Sequence, residues 1–149
     1  MAANEITPAG TNEPSRYDAT FVGRGFSWPM EVDHTGSIKL TDGAEDLDRS
    51  IRMVLLTAPG ERLMRPDFGC RIWDLLFEPV TGNLLGLIAE AVREALAQWE
   101  PRIVVEDVKP EADPANQALV RIQITYRVRA TNDRRNLVYP FYVIPHDAE

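Results

Sequence analysis

A chain of 149 residues, 44% hydrophobic and 26% charged, has the size and balance of one soluble domain, able to bury roughly 70% of the surface its unfolded form exposes. Its net charge of −7 opposes general affinity for nucleic acid or anionic lipid, because such affinity rests on clustered Lys and Arg. No apolar run approaches the roughly 20 residues of a membrane span, and one cysteine with two histidines excludes an internal disulfide and offers too few soft ligands for zinc.

The charge is uneven. Residues 1–118 hold 11 basic and 20 acidic groups, a net of −9, whereas residues 119–149 hold 5 and 3, a net of +2. Two faces of different sign imply two different protein neighbours more than a polynucleotide. No cofactor, metal, nucleic acid or membrane is expected. Residues 1–20 carry Pro8, Gly10 and Pro14, few large apolar groups and no apolar stretch of signal-peptide type, so they are expected to form a flexible arm before a domain spanning 21–149. The chain is expected to act where it is made or to leave as part of something larger.

In FVGRGFSWPM, residues 21–30, aromatics alternate with Gly23, Gly25 and Pro29, which predicts an irregular clamp across the core and not a regular strand. A first helix is predicted from Asp42, which stands at capping-box spacing from Glu45. Leu47, Ile51, Val54 and Leu55 form its apolar stripe, and Pro59 and Gly60 close it. A connector follows, divided by Pro66, Gly69 and Pro79. Thr81 is the expected N-cap of a second, central helix with a wide stripe from Leu84 to Trp99, ended by Pro101. The period then changes to two. Residues 102–109 predict a strand, 110–116 a turn, and Val120 to Val128 a long half-buried strand; TNDRRN then turns the chain into LVYPFYVI. Two helices followed by a meander make an α+β domain, with the helices on one face of a small antiparallel three-stranded sheet.

Four constellations carry chemistry or contact. Asp67 and Glu100 are carboxylates that a glycosidase could use if they stood about 5–10 Å apart, although helix caps and ordinary surface pairs account for most acidic groups here. Glu100, Pro101 and Arg102 end an amphipathic helix, so they predict either a local ion pair or a displayed docking corner in which Arg offers a bidentate fork. In the loop GERLMRPDFG, Gly60 and Gly69 imply special backbone angles, and Arg62 and Arg65 can pair with Glu61 and Asp67 or join a contact surface. In LVYPFYVI both alternating sets are apolar, Leu137, Tyr139, Phe141 and Val143 against Val138, Tyr142 and Ile144. Pro140 confines the strand to an edge. The second side is then covered either by the 21–30 segment or by another subunit.

The run PGERLMRPDFGCRIWDLLFEP, the helix end WEPRI, the YRV strand and the terminal LVYPFY together resemble the gene-product-25-like baseplate wedge family of contractile phage tails, type VI secretion systems and extracellular contractile injection systems, over about residues 21–144. The resemblance implies a non-enzymatic subunit present in six copies around a baseplate, assembled in the cytoplasm and carried in a phage tail or extracellular injection particle. Glu100, Pro101 and Arg102 would meet the core bundle of larger wedge proteins. Leu137, Val138, Tyr139, Phe141, Tyr142 and Val143 would add strands of the first sheath ring, and tube-initiator or hub proteins are further expected neighbours. The lysozyme-like label attached to the family keeps a peptidoglycan hydrolase as the alternative.

Overall fold

The computed structural model describes residues 22–27 and 29–144. The expected 1–20 arm lies outside them. Strand β1 (Arg24–Phe26) pairs antiparallel with β2 (Leu40–Asp42), which runs directly into helix α1 (Gly43–Leu56). A 3-10 turn (Arg71–Leu75) and helix α2 (Gly82–Trp99) follow. The chain ends in a meander of β3 (Ile103–Ala112), β4 (Leu119–Val128) and β5 (Arg134–Tyr142), with β4 central. This is the expected α+β arrangement.

The core lies between the helices and one face of the meander. Val120, Ile122, Ile124, Tyr126 and Val128 of β4 alternate inward and meet Ile88, Val92 and Leu96 of α2 and Leu47, Ile51 and Leu55 of α1, all buried. Two polar contacts set the helices against the sheet. Tyr126 Oη donates to Asp48 of α1 at 2.6 Å, and Trp73 Nε1 donates to the Leu55 carbonyl at 2.9 Å while its ring meets Phe141 edge-on. A buried Tyr or Trp needs such a partner for its polar end.

Local chemistry explains where the elements depart from expectation. Thr81 caps α2 as its sequence predicts, accepting from the Leu84 N–H. Asp42 holds the cap position of α1 but makes no capping bond: β2 enters the helix through Gly43 at φ 61, Asp42 lies 3.8 Å from Arg24, and Glu45 pairs with Arg49. The predicted clamp contains a regular though short strand, β1, because β2 offers it a free edge. Strand β3 runs on to Ala112, with Pro110 opposite Ile122, since an edge strand can turn a position lacking an N–H away from its neighbour.

Gly60 and Gly69 take φ 92 and φ 129, as the loop they bracket requires. At Gly69 space is closed as well: a Cβ would stand 2.3 Å from the Thr57 carbonyl oxygen, against which the Cys70 N–H closes the loop. Gly69→Ala should therefore cost about 2–4 kcal/mol and lower the melting temperature by about 5–15 °C. Gly86, exposed within α2 with open space around it, provides the opposite case. Gly86→Ala should stabilise by about 0.5–1 kcal/mol. Thermal unfolding of the two variants checks both signs.

Candidate functional site

Of two predicted sites, one stands at the start of edge strand β3 and the other is the opposite edge strand, β5. At the first, Glu100 is the C-terminal cap of α2, its N–H bonded to the Leu96 carbonyl at 3.0 Å. Pro101 cannot continue the helix, so the chain turns and returns the Arg102 guanidinium onto Glu100. Arg102 Nε and Nη2 donate to the two carboxylate oxygens at 2.7 Å each, a bidentate fork. Ser50 Oγ donates to Glu100 Oε2 at 2.5 Å, and Arg102 Nη1 donates to Asp46 Oδ2 at 2.7 Å and to the Val22 carbonyl at 3.3 Å.

Of the two readings of this corner, the local ion pair is the one present within the chain. Glu100 is 2% exposed and faces inward, whereas the Arg102 side chain keeps 33% of its surface. The corner is an internal ion network that also joins Asp46 and Ser50, which stand four residues apart on one face of α1. Asp46 reads naturally as a helix-dipole residue, and nothing local in the sequence points from it to position 102. Strand β1 lies over the network so closely that a Cβ on Gly25 would stand 2.1 Å from Asp46 Oδ1. Burial alone pushes the Glu100 carboxyl upward, but hydrogen bonds from Arg102 and Ser50, with the Arg102 charge, outweigh it and hold the group below its ordinary value.

The second site is strand β5. Leu137, Tyr139, Phe141 and Val143 are buried in the core, while Val138, Tyr142 and Ile144 are 46%, 58% and 51% exposed. Of the six residues expected to receive sheath strands, Leu137, Tyr139, Phe141 and Val143 are therefore held by the core, and the outward set is Val138, Pro140, Tyr142 and Ile144. The described part of the 21–30 segment lies on β2, so it does not cover this face. Val143 N–H donates to Ala118, across from β5. Alternation along the unbroken register then turns the N–H groups of Val138 and Tyr142 to the free edge, with Pro140 between them. Beyond the strand, Ile144 N–H is taken by the Leu76 carbonyl at 2.9 Å. The nearby arginines are engaged within the chain: Arg127 and Arg134 meet Glu106, Arg135 meets Asp133, and Arg129 Nε donates to the Ile103 carbonyl.

Elsewhere the chemistry is subdued. Burial pushes the Cys70 thiol up to about 11, and its S–H points at the Ala91 carbonyl. Among the described residues no three His, Cys, Asp or Glu side chains gather as a metal site, and no helix is long and apolar enough to cross a membrane. Asp67 is exposed on its loop, and Glu100 is withdrawn into the corner.

Because Glu100 is buried, removing the Arg102 side chain leaves its charge with the Ser50 hydroxyl and a long bond, 3.4 Å, from the residue-102 backbone N–H. Arg102→Ala should cost about 2–4 kcal/mol, toward the lower part of the range for a broken buried pair because the guanidinium is one-third exposed. A cycle with Glu100→Ala should show about 1–3 kcal/mol of coupling. A lowered folded-state pKa adds stability that is present above the ordinary carboxylate value of 4.5 and is lost as pH falls through the folded value. Acid unfolding of Glu100→Gln should thus have a flatter limb below that pH, measured by circular dichroism.

Residues 41–133 match the model of a family described as baseplate wedge protein gp25. The baseplate wedge protein gp25 of Enterobacteria phage T4 is 28% identical over 74 residues, which are 50% of this chain and 56% of that protein. A Geobacter sulfurreducens protein of known structure, provisionally called a tail lysozyme, is 48% identical. It superposes with a TM-score of 0.67 over 75% of this chain and 100% of its own. A chain of the anti-feeding prophage baseplate is 27% identical, with a TM-score of 0.59 over 84% of this chain and 89% of its own. The chain spans little more than half the length of the phage T4 protein, yet the match covers most of its own helices and sheet, and it belongs to the gp25 family of baseplate wedge proteins.

Proposed function

We propose that this chain is a structural, non-enzymatic wedge subunit of a contractile tail or injection-particle baseplate, and that the free edge of β5 receives a strand from the first ring of sheath subunits. The observation that carries the reading is the unequal treatment of the two sheet edges. On β3 a bulge between Val105 and Asp107, the charges of Glu106, Asp107, Lys109 and Glu111, and Pro110 all blunt the edge. On β5 the run Leu137–Val143 holds no charge, its outward side chains Val138, Pro140 and Tyr142 are apolar or aromatic, and Pro140 alone interrupts it before Ile144 turns its N–H to Leu76. An unprotected apolar edge is an aggregation hazard unless it is used, and strand addition would satisfy its outward N–H and C=O groups through main-chain bonds.

In this reading six copies assemble in the cytoplasm and offer the edge in a ring. The exposed third of Arg102, oriented by Glu100 and Asp46, meets larger wedge proteins, and hub or tube-initiator proteins lie nearby. The hydrolase reading has support only in the name given to the Geobacter protein. A retaining or inverting glycosidase needs a carboxylic acid held protonated, and Glu100 is buried, ion-paired and shifted in the opposite direction.

Deleting residues 137–149 would remove four core side chains and test folding more than assembly. Val138→Pro and Tyr142→Pro instead remove outward N–H groups and leave the core untouched. Both variants should melt within about 4 °C of the wild type and yield baseplates without extended sheath, scored by electron microscopy of purified particles. Sheaths of normal length on baseplates carrying the Tyr142→Pro chain would show that nucleation uses another surface. Incubation with purified peptidoglycan should release no reducing ends. Saturable release abolished by Glu100→Gln would overturn the structural reading.

A further inference from the structure

The loop between α1 and the 3-10 turn carries the two most exposed large apolar side chains of the described residues, Leu63 at 97% and Met64 at 93%, side by side at its tip. The loop is not loose. Gly60 N–H donates to the Pro66 carbonyl at 2.7 Å, Cys70 N–H to Thr57 at 2.9 Å, and Arg65 and Phe68 close successive turns on Arg62 and Arg65. The Arg62 guanidinium lies 4.0 Å over the Phe68 ring, which packs on Trp99 of α2. A stacked guanidinium keeps its N–H edge for other partners. Glu61 is turned back to the Ala58 N–H, and among the described residues neither Arg62 nor Arg65 has a carboxylate within ion-pair reach. The backbone that carries the apolar pair is thereby fixed between two available guanidiniums, so binding has side-chain freedom alone left to take there.

We propose that residues 62–65 form a preformed insertion loop that docks into an apolar cleft rimmed by carboxylates on a neighbouring wedge protein. The inference rests on the wedge reading above and adds a contact separate from both β5 and the Arg102 corner. Charge selects the occupant. Two arginines, followed by Asp67 on the returning limb of a chain with net charge −7, fall short of the basic clusters of about 4–8 residues that hold proteins on anionic membranes. They do suit a cleft in which each guanidinium meets one carboxylate and the apolar pair fills the floor, the arrangement of a small central anchor with a charged rim.

The test uses the full chain with a photoreactive benzoylphenylalanine at position 64, expressed together with its assembly partners, followed by irradiation of the purified particles and mass spectrometry of the adducts. The expected product joins position 64 to one wedge protein at a peptide whose apolar residues are flanked by Asp or Glu. Leu63→Ser with Met64→Ser should leave the melting temperature unchanged and reduce incorporation into particles at least about tenfold. Arg62→Glu with Arg65→Glu should reduce it similarly, with recovery when both are Lys. The proposal is overturned by an adduct between two copies of this chain, by co-sedimentation of the chain with phosphatidylserine–phosphatidylcholine vesicles that needs Leu63 and Met64, or by particles that contain the chain yet yield no adduct. Particles lacking the chain altogether would overturn the wedge reading and this proposal together.

Discussion

A carboxylate taken out of water must recover its lost solvation from fixed partners, and in this chain that demand organises the whole corner where α2 ends. Glu100 receives a bidentate fork from Arg102 and a hydroxyl from Ser50, and Arg102 in turn reaches Asp46 and the Val22 carbonyl. Five separate stretches of chain meet there: the approach to β1, helix α1, the end of α2, the start of β3 and, through the Arg129 N–H bonded to the Arg102 carbonyl, the end of β4. Apolar contacts elsewhere set how tightly the layers pack. The ion network sets which end of each element lies against which, because only one arrangement pairs every buried charge.

The same network limits what the corner offers a partner. Exchange of Glu100 from its own arginine to a neighbour would leave the Arg102–Asp46 pair and the covering strand β1 without their anchor, so the proposed contact at this place would fall to the outer part of the guanidinium. An arginine held on two sides by its own chain presents its remaining N–H groups in a fixed direction, which favours geometric selection over raw affinity.

How much of this was legible in the sequence depends on the range of each interaction. Helix α2, its Thr81 cap and the alternation of Val120 to Val128 rest on neighbours within a few residues, and the structure has them where the periodicity puts them. The two-sided apolar character of residues 137–144 was equally visible. Which side faces the core was not, because both sets alternate at the same period and only packing against Trp73 and the helices decides between them. Glu100 and Arg102 were found as residues, but their burial depends on Ser50 and Asp46, 50 and 56 positions before the partners they bond. Local spacing carries no trace of a pair so far apart. The capping box at Asp42 failed for a related reason: the tertiary position of β1 beside β2 drew the aspartate to Arg24.

A sheath strand added to β5, as proposed above, would pass load into the sheet, and the ladders are arranged to spread it. Force applied along a strand added to β5 would act in shear on the β4–β5 ladder, which runs without a break from Leu119↔Tyr142 to Arg127↔Arg134, so many main-chain bonds would share it. The ladder from β4 to β3 is interrupted by its bulge, but Glu106 at that bulge holds Arg127 of β4 and Arg134 of β5 and so ties all three strands across the irregularity. From β4 the load passes at one end to Arg102 and the buried network and along its length to α2 through Ile122 and Ile124. In the proposed reading, continuous ladders, ion pairs and close core packing would thus join an added sheath strand at the open edge to a wedge contact at Arg102.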